Sequence, residues 1–385
     1  MCSGSKRMLI SMPWVLAAAM NATEPKPAVE IPLAAVLRCE YRFHVLTGIR
    51  FAPSRDWLAV LVQHGPATIP LLQAPVQEGA PAHLLIISRS GDLIRPAAHT
   101  RGPGENFLGL EVLWWSPDSS HVASAGLRSV TVLSSEGTDR CEITQGTTDS
   151  GLGFVSGPLF VVSTGSAKRT LDFYRPDCSL ALSEFPPANS YHTVAVPLDG
   201  DSLAFIEGAR GVILTDALCQ GPRRLKVDYW GGRSEPGSFG FGPERAKGRY
   251  TESGRVLCIG SSNHTHCFEN DSGAPIASLP RGMRGRMMDA SAAGPRIVYP
   301  YQALSALDFF GGLAAPGHGG TAHTIGCMVW DYREGKETFL WTAGRSAKTL
   351  GLEYRGLCAL DAAGEHLAAA TAKSVRVYEL PAPLK

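Results

Sequence analysis

Hydrophobic and polar positions in this chain alternate in short bursts separated by tight turns, and the same phrase returns along its whole length. The clearest copy is Trp115-Ser116-Pro117-Asp118-Ser119-Ser120-His121-Val122-Ala123, followed by Val130-Thr131-Val132-Leu133-Ser134-Ser135-Glu136-Gly137. An apolar run enters a turn, a short Val-Ala strand leaves it, and an alternating strand follows and ends in a second turn. Alternation with period two predicts strands, and Asp, Ser or Gly between them supplies the turns. Further copies begin at Phe51, Gly153, Val196, Tyr250, Ser291 and Leu360, which makes seven. The copy at Gly153 is worn, so six or eight units stay open. Repetition on this scale predicts a stack of like units.

Each copy has the parts of a four-stranded meander. One such sheet cannot bury both faces alone, and packing sheets radially buries them while leaving short edges. No long stretch sustains a helical apolar period, so the expected fold is all-β: a seven-bladed β-propeller of four-stranded antiparallel blades. The seventh copy stops at Leu380, one strand short, and an orphan strand, Ala34 to Phe43, precedes the first copy. That N-terminal strand is expected to complete the last blade and remove its open edge. The expected organisation is a signal peptide or tether over 1–22, a proline-marked linker over 23–33 and one propeller domain over 34–381.

The Ser116-Pro117-Asp118 turn, the Trp330-Asp331 dipeptide closing a strand and the Arg333-Glu334-Gly335-Lys336 turn after it resemble the repeats of WD40-like β-propellers. The resemblance covers roughly 35–381. It implies the architecture and leaves the activity open, since propellers host many unrelated functions.

Strand parity sorts the connections. In a meander the first–second and third–fourth turns share one face, and the second–third and fourth–first connections share the other. Three long insertions, 64–82, 228–249 and 302–323, all fall in the second set, which makes their face the expected functional one. Tyr229, Trp230 and Arg233 form a candidate recognition patch there. His318 and His323, with His264 and His266 near the blade-five turn, bring imidazoles to the same face; the plain reading is solvated loop histidines, and no metal or other cofactor is assigned.

The N-terminus adds a compartment. Lys6 and Arg7 precede the apolar stretch Met8 to Leu16, which runs into Ala17-Ala18-Ala19, the order of a signal peptide. An uncleaved tether and a stretch with no targeting role are the alternatives. Export permits disulfides, and one pair follows from register. Strands flanking a two-residue turn at Ser262-Asn263 place Cys258 opposite Cys267 in a non-hydrogen-bonded pair, where side chains approach most closely. The formal net charge of +1 gives no reason to expect nucleic acid. There is no G-x-S-x-G elbow, P-loop or H-E-x-x-H motif. The reading is therefore an exported, monomeric binding or scaffold module for a protein or small ligand. A propeller enzyme (hydrolase, lactonase-like or cofactor-dependent dehydrogenase-like) with its site at the channel mouth is the alternative.

Overall fold

Each copy of the phrase folds as a sheet of four antiparallel strands, and seven such sheets stand in a ring with their first strands innermost. This is a computed structural model. It describes residues 25–32, 44–54, 56–64, 81–92, 94–101, 112–126, 129–144, 150–164, 170–187, 193–197, 199–206, 211–225, 247–260, 265–278, 287, 289–303, 324–342, 357–370 and 374–382. Blades one to six span 44–101, 113–144, 150–184, 193–225, 247–278 and 289–342, and blade seven combines 357–379 with Val29–Pro32. The worn third copy is a complete blade. Its first strand, Ser150–Val155, carries a bulge between Gly151 and Gly153, and the extra residue breaks the alternation that marks the other copies.

An N-terminal strand does close the ring, but it is Val29–Pro32, within the stretch read above as a linker; Ala34 to Phe43 lies outside the described residues. Val29 pairs with Val377 and Ile31 with Val375, and the Ala28 amide donates to the Val377 carbonyl at 2.8 Å. The prolines misdirect here. An outermost strand bonds on one side only, so the N–H that Pro32 lacks is not needed by the sheet. Ile31 is buried against Phe51, Leu58 and Ile87 of blade one and Val375 and Val377 of its own blade.

The core is a set of seams between blades. Leu257, Ile259 and Phe268 of blade five meet Ala204, Ile206 and Leu214 of blade four, while Val256, Cys258 and Cys267 face Ile297, Tyr299 and Trp330 of blade six. The two faces of one hairpin thus fill two seams, which is what period-two alternation of apolar residues on both parities provides. Trp114 and Phe154 pack edge-on to Phe160, 5.4 and 5.0 Å between centroids, between blades two and three. Near the axis the blades converge, and glycine makes the approach possible. A Cβ on Gly248 would stand 2.5 Å from the Ile206 Cδ1 atom.

The turns explain the repeated carboxylates. Asp118, Asp199 and Asp361 accept backbone N–H groups of their own first–second turns. Asp331 does the same in the third–fourth turn after Trp330, accepting from the Arg333 and Glu334 amides. Other third strands keep that chemistry without the dipeptide: Asp216 takes the Leu218 and Gln220 amides, and the Ser134 hydroxyl takes those of Thr138 and Asp139.

Side chains of these turns also tie the blades. Glu252 of blade five accepts from the Tyr332 hydroxyl at 2.8 Å and from Arg333 Nε and Nη2 at 2.7 and 2.9 Å, both of blade six. The Arg333 bonds hold the Glu252 carboxyl below its ordinary range. A depressed carboxyl contributes stability that is present above its unfolded-state pKa and lost as pH falls through the folded one. Glu252→Gln should therefore cost about 1 kcal/mol at neutral pH, because Arg333 is partly exposed, and flatten the acid limb of stability. Urea midpoints measured between pH 3 and 7 check this; parallel curves for variant and parent would contradict it.

Three pairs of cysteines stand at disulfide distance. Cys258 and Cys267 stand at disulfide distance, 2.07 Å between sulfurs, in the expected register. The Asn270 amide donates to the Arg255 carbonyl, which makes 255/270 a hydrogen-bonded pair and 258/267, three steps on, a non-hydrogen-bonded one. Two further pairs, unreadable from sequence, cross seams: Cys141–Cys178 joins blades two and three, and Cys327–Cys358 joins blades six and seven. Among the described residues Cys219 is the free cysteine; burial, then Glu184 and Asp216, push its thiol up to about 12, so it is unreactive.

Candidate functional site

A propeller offers two faces and a channel. Every blade has four strands, so parity can be read directly. The first–second and third–fourth turns are all short, the longest being 196–201 and 217–222. On the opposite face the chain leaves at 65–80, 226–246 and 304–323, as expected, and also at 343–356, which joins blades six and seven. The long connections thus run in a continuous arc from blade four to blade one. Tyr229, Trp230, Arg233, His318 and His323 lie in them, and His264 lies in the 261–264 connection of blade five; all six are outside the described residues. His266 is described: its Nδ1 is 2.8 Å from the Ser278 hydroxyl, and its ring stacks on Phe268.

The channel holds what sequence reasoning missed. Asp289, on the first strand of blade six, is buried and receives groups from three other blades. Arg249 Nε of blade five donates to its Oδ1 at 3.2 Å, Arg50 Nη1 of blade one lies 3.9 Å from the same oxygen, and the Leu360 amide of blade seven donates to Oδ2 at 3.2 Å. Blade two joins through Trp115, whose indole N–H donates to the Arg50 carbonyl at 3.2 Å. One carboxylate thereby ties the inner strands across the axis. Removing one partner of such a buried pair leaves the other charge uncompensated, which is costly.

Beside this tie a pocket opens between the first strands. Its walls are Trp114, Trp115, Leu152, Phe154 and Tyr250, with Pro53, Pro117 and Pro197 from the first–second turns and the Arg50 and Arg249 side chains. The turn prolines place its mouth at the short-turn end of the channel. A signal for the tie was present in the sequence: Arg50, Arg249 and Asp289 each fall two or three residues before a repeated turn, where other copies carry mostly apolar residues. A charge in an otherwise apolar inner strand has to find a partner across the axis.

No family model matches the chain, and no curated protein matches its sequence. Solved structures do, 1271 chains of them, so many that likeness alone selects no function. The Cps50 (Swd1) β-propeller domain of Myceliophteria thermophila is 13% identical with a TM-score of 0.56, over 92% of this chain and 99% of that one. A chain in a crystal structure of the mitotic checkpoint complex is 13% identical with a TM-score of 0.54, over 98% of this chain and 100% of that one. The seven four-stranded blades, the Trp330-Asp331 strand end and these neighbours together make the chain a WD40-like seven-bladed β-propeller in fold.

Proposed function

We propose that this propeller is an exported binding or scaffold module that receives a protein partner on the face of its long connections. One observation carries the reading: with four strands in every blade, 65–80, 226–246, 304–323 and 343–356 all leave from the same end, while the other end keeps short capped turns. Variable loops on a rigid ring are where recognition is built at least cost to folding. The three disulfide pairs support an oxidising compartment. The structural neighbours support a module that works by assembly, one of them being part of a checkpoint complex. Asp289, tied to two guanidinium groups and a backbone amide, is occupied as a structural anchor, which weighs against acid–base chemistry at that point in the channel.

A photo-crosslinking residue placed at Trp230 or at His318 should capture a discrete partner in the native envelope or secretion medium. The same residue at Asp199 or Glu365, in the short turns, should not. Substituting Tyr229, Trp230 and Arg233 together by Ser should abolish capture and shift the urea midpoint little, since loop tips bury little apolar area. Crosslinks confined to the short turns would put the interface at the other end.

A further inference from the structure

The residue that opens each third–fourth turn has a fixed duty. The backbone amides of Arg89, Ser135, Asn270, Tyr332 and Leu380 each donate to a carbonyl of the first–second turn of the same blade. Long side chains at this position are put to use as well: Arg89 reaches Asp56 and Asp361, and the Tyr332 hydroxyl reaches Glu252. Asn270 of blade five is different. Its Oδ1 is turned inward without a partner, while its Nδ2 bonds to nothing among the described residues and is not occluded, so the nitrogen branch reaches solvent.

Asparagine is common in turns because its side chain bonds nearby backbone. Here it makes no such bond, and the turn is held by other groups. The Gly273 amide donates to the Glu269 carbonyl at 2.8 Å and the Ala274 amide to Ser272 Oγ at 3.1 Å. From blade four, Arg223 donates Nη1 to the Asp271 carbonyl at 2.6 Å and Nη2 to the Asn270 carbonyl at 3.2 Å. The backbone is therefore fixed while the Asn270 amide stays unused, and Asp271 and Ser272 beside it are exposed.

The sequence here is Asn270-Asp271-Ser272, the Asn-X-Ser pattern of an N-glycosylation acceptor. Asn21-Ala22-Thr23 and Asn263-His264-Thr265 match it too, but Asn21 and Asn263 lie outside the described residues. A glycan is bulky and needs a surface turn, which the exposed tip of blade five supplies.

We propose that Asn270 is an acceptor for an N-linked oligosaccharide. The inference rests on the export reading, because the donor is the lipid-pyrophosphate-linked oligosaccharide of a secretory membrane. In the transfer Asn270 Nδ2 loses a proton and bonds to the anomeric carbon of the donor sugar; the bond from that carbon to the pyrophosphate oxygen breaks, and the lipid pyrophosphate leaves with the electron pair. Because Ser272 Oγ donates to Glu269 Oε2 at 3.2 Å in the folded turn, transfer takes place before the turn closes. The sugar then stands at the short-turn end beside blades four and five and leaves the arc of long connections open.

The test is expression of the full chain in a eukaryotic secretory host, once from its own N-terminus and once behind an added secretion leader of known activity. Protein recovered from the medium is treated with peptide N-glycosidase in heavy-oxygen water, and the peptide holding Asn270 is weighed. Conversion of Asn270 to heavy-oxygen-labelled Asp in the leader sample is expected. Asn270→Gln and Ser272→Ala should each abolish the label at this position, and Ser272→Thr, which keeps the hydroxyl, should retain it. The urea midpoint of Asn270→Gln should match that of the deglycosylated parent, since the amide supports no turn bond. An unlabelled Asn270 in secreted, disulfide-bonded protein would overturn the proposal whether or not Asn263 carries sugar, as would a label that survives Ser272→Ala. Secretion from the chain's own N-terminus is scored separately. Protein retained without the leader but labelled with it would count against the export reading and leave the acceptor site standing.

Discussion

A chain lacking residues 1–32 should lose most of its resistance to urea and aggregate, while a chain lacking only 1–24 should behave as the parent. The difference is the strand Val29–Pro32. It completes blade seven, covers the edge of Ser374–Glu379 and puts Ile31 into the seam with blade one. Burying Ile31 and half-burying Val29 is worth about 2–4 kcal/mol by side-chain transfer. Glu30 adds an accepted bond from the Ser374 hydroxyl at 2.8 Å and one from Arg376 Nε at 3.0 Å. Against a typical stability of about 5–15 kcal/mol, that loss is a large share of the margin, and it bares a strand edge that other chains can pair with. Ile31→Ala in the full chain gives a gentler version and should cost about 2–4 kcal/mol. Parent-like urea curves for both the longer truncation and Ile31→Ala would show that the ring does not depend on this strand.

How this seam was misread shows what the sequence can carry. Blades one to seven were legible because each copy pairs a turn signal with alternation on both parities, and both seams of a blade depend on that pattern. Cys258 and Cys267 were legible for a local reason: a short turn expected between two neighbouring strands sets their register. The closing strand has neither signal. It is four residues long, lies among prolines, and takes its place from a partner more than three hundred residues away. The same distance hides Cys141–Cys178 and Cys327–Cys358, whose members meet only after neighbouring blades pack. It also hides how Arg50, Arg249 and Asp289 pair: a charge in an inner strand signals the need of a partner, but only the ring, bringing blades one, five and six round one axis, shows which.

The two kinds of disulfide should differ in what they protect. Cys258–Cys267, at a sequence separation of 9, links residues already opposed in a hairpin. Cys327–Cys358, at a separation of 31, joins the third strand of blade six to the first strand of blade seven, beside the Trp341, Tyr378 and Leu367 packing. Loop-closure entropy assigns about 2–3 kcal/mol to the short link and about 3–4 kcal/mol to the longer one. Topology widens the gap. Opening the ring means parting blades, and the hairpin bond resists no such motion, whereas the inter-blade bond must break or strain when blade seven leaves blade six. Replacing Cys327 and Cys358 together by Ala should therefore lower the urea midpoint more than replacing Cys258 and Cys267 together. Adding reductant to the parent, which opens all three bonds, should bring its midpoint below that of either variant. If the hairpin pair proved the costlier, blade five would be the weak unit, and unfolding would begin inside a blade instead of at the seam next to the closure.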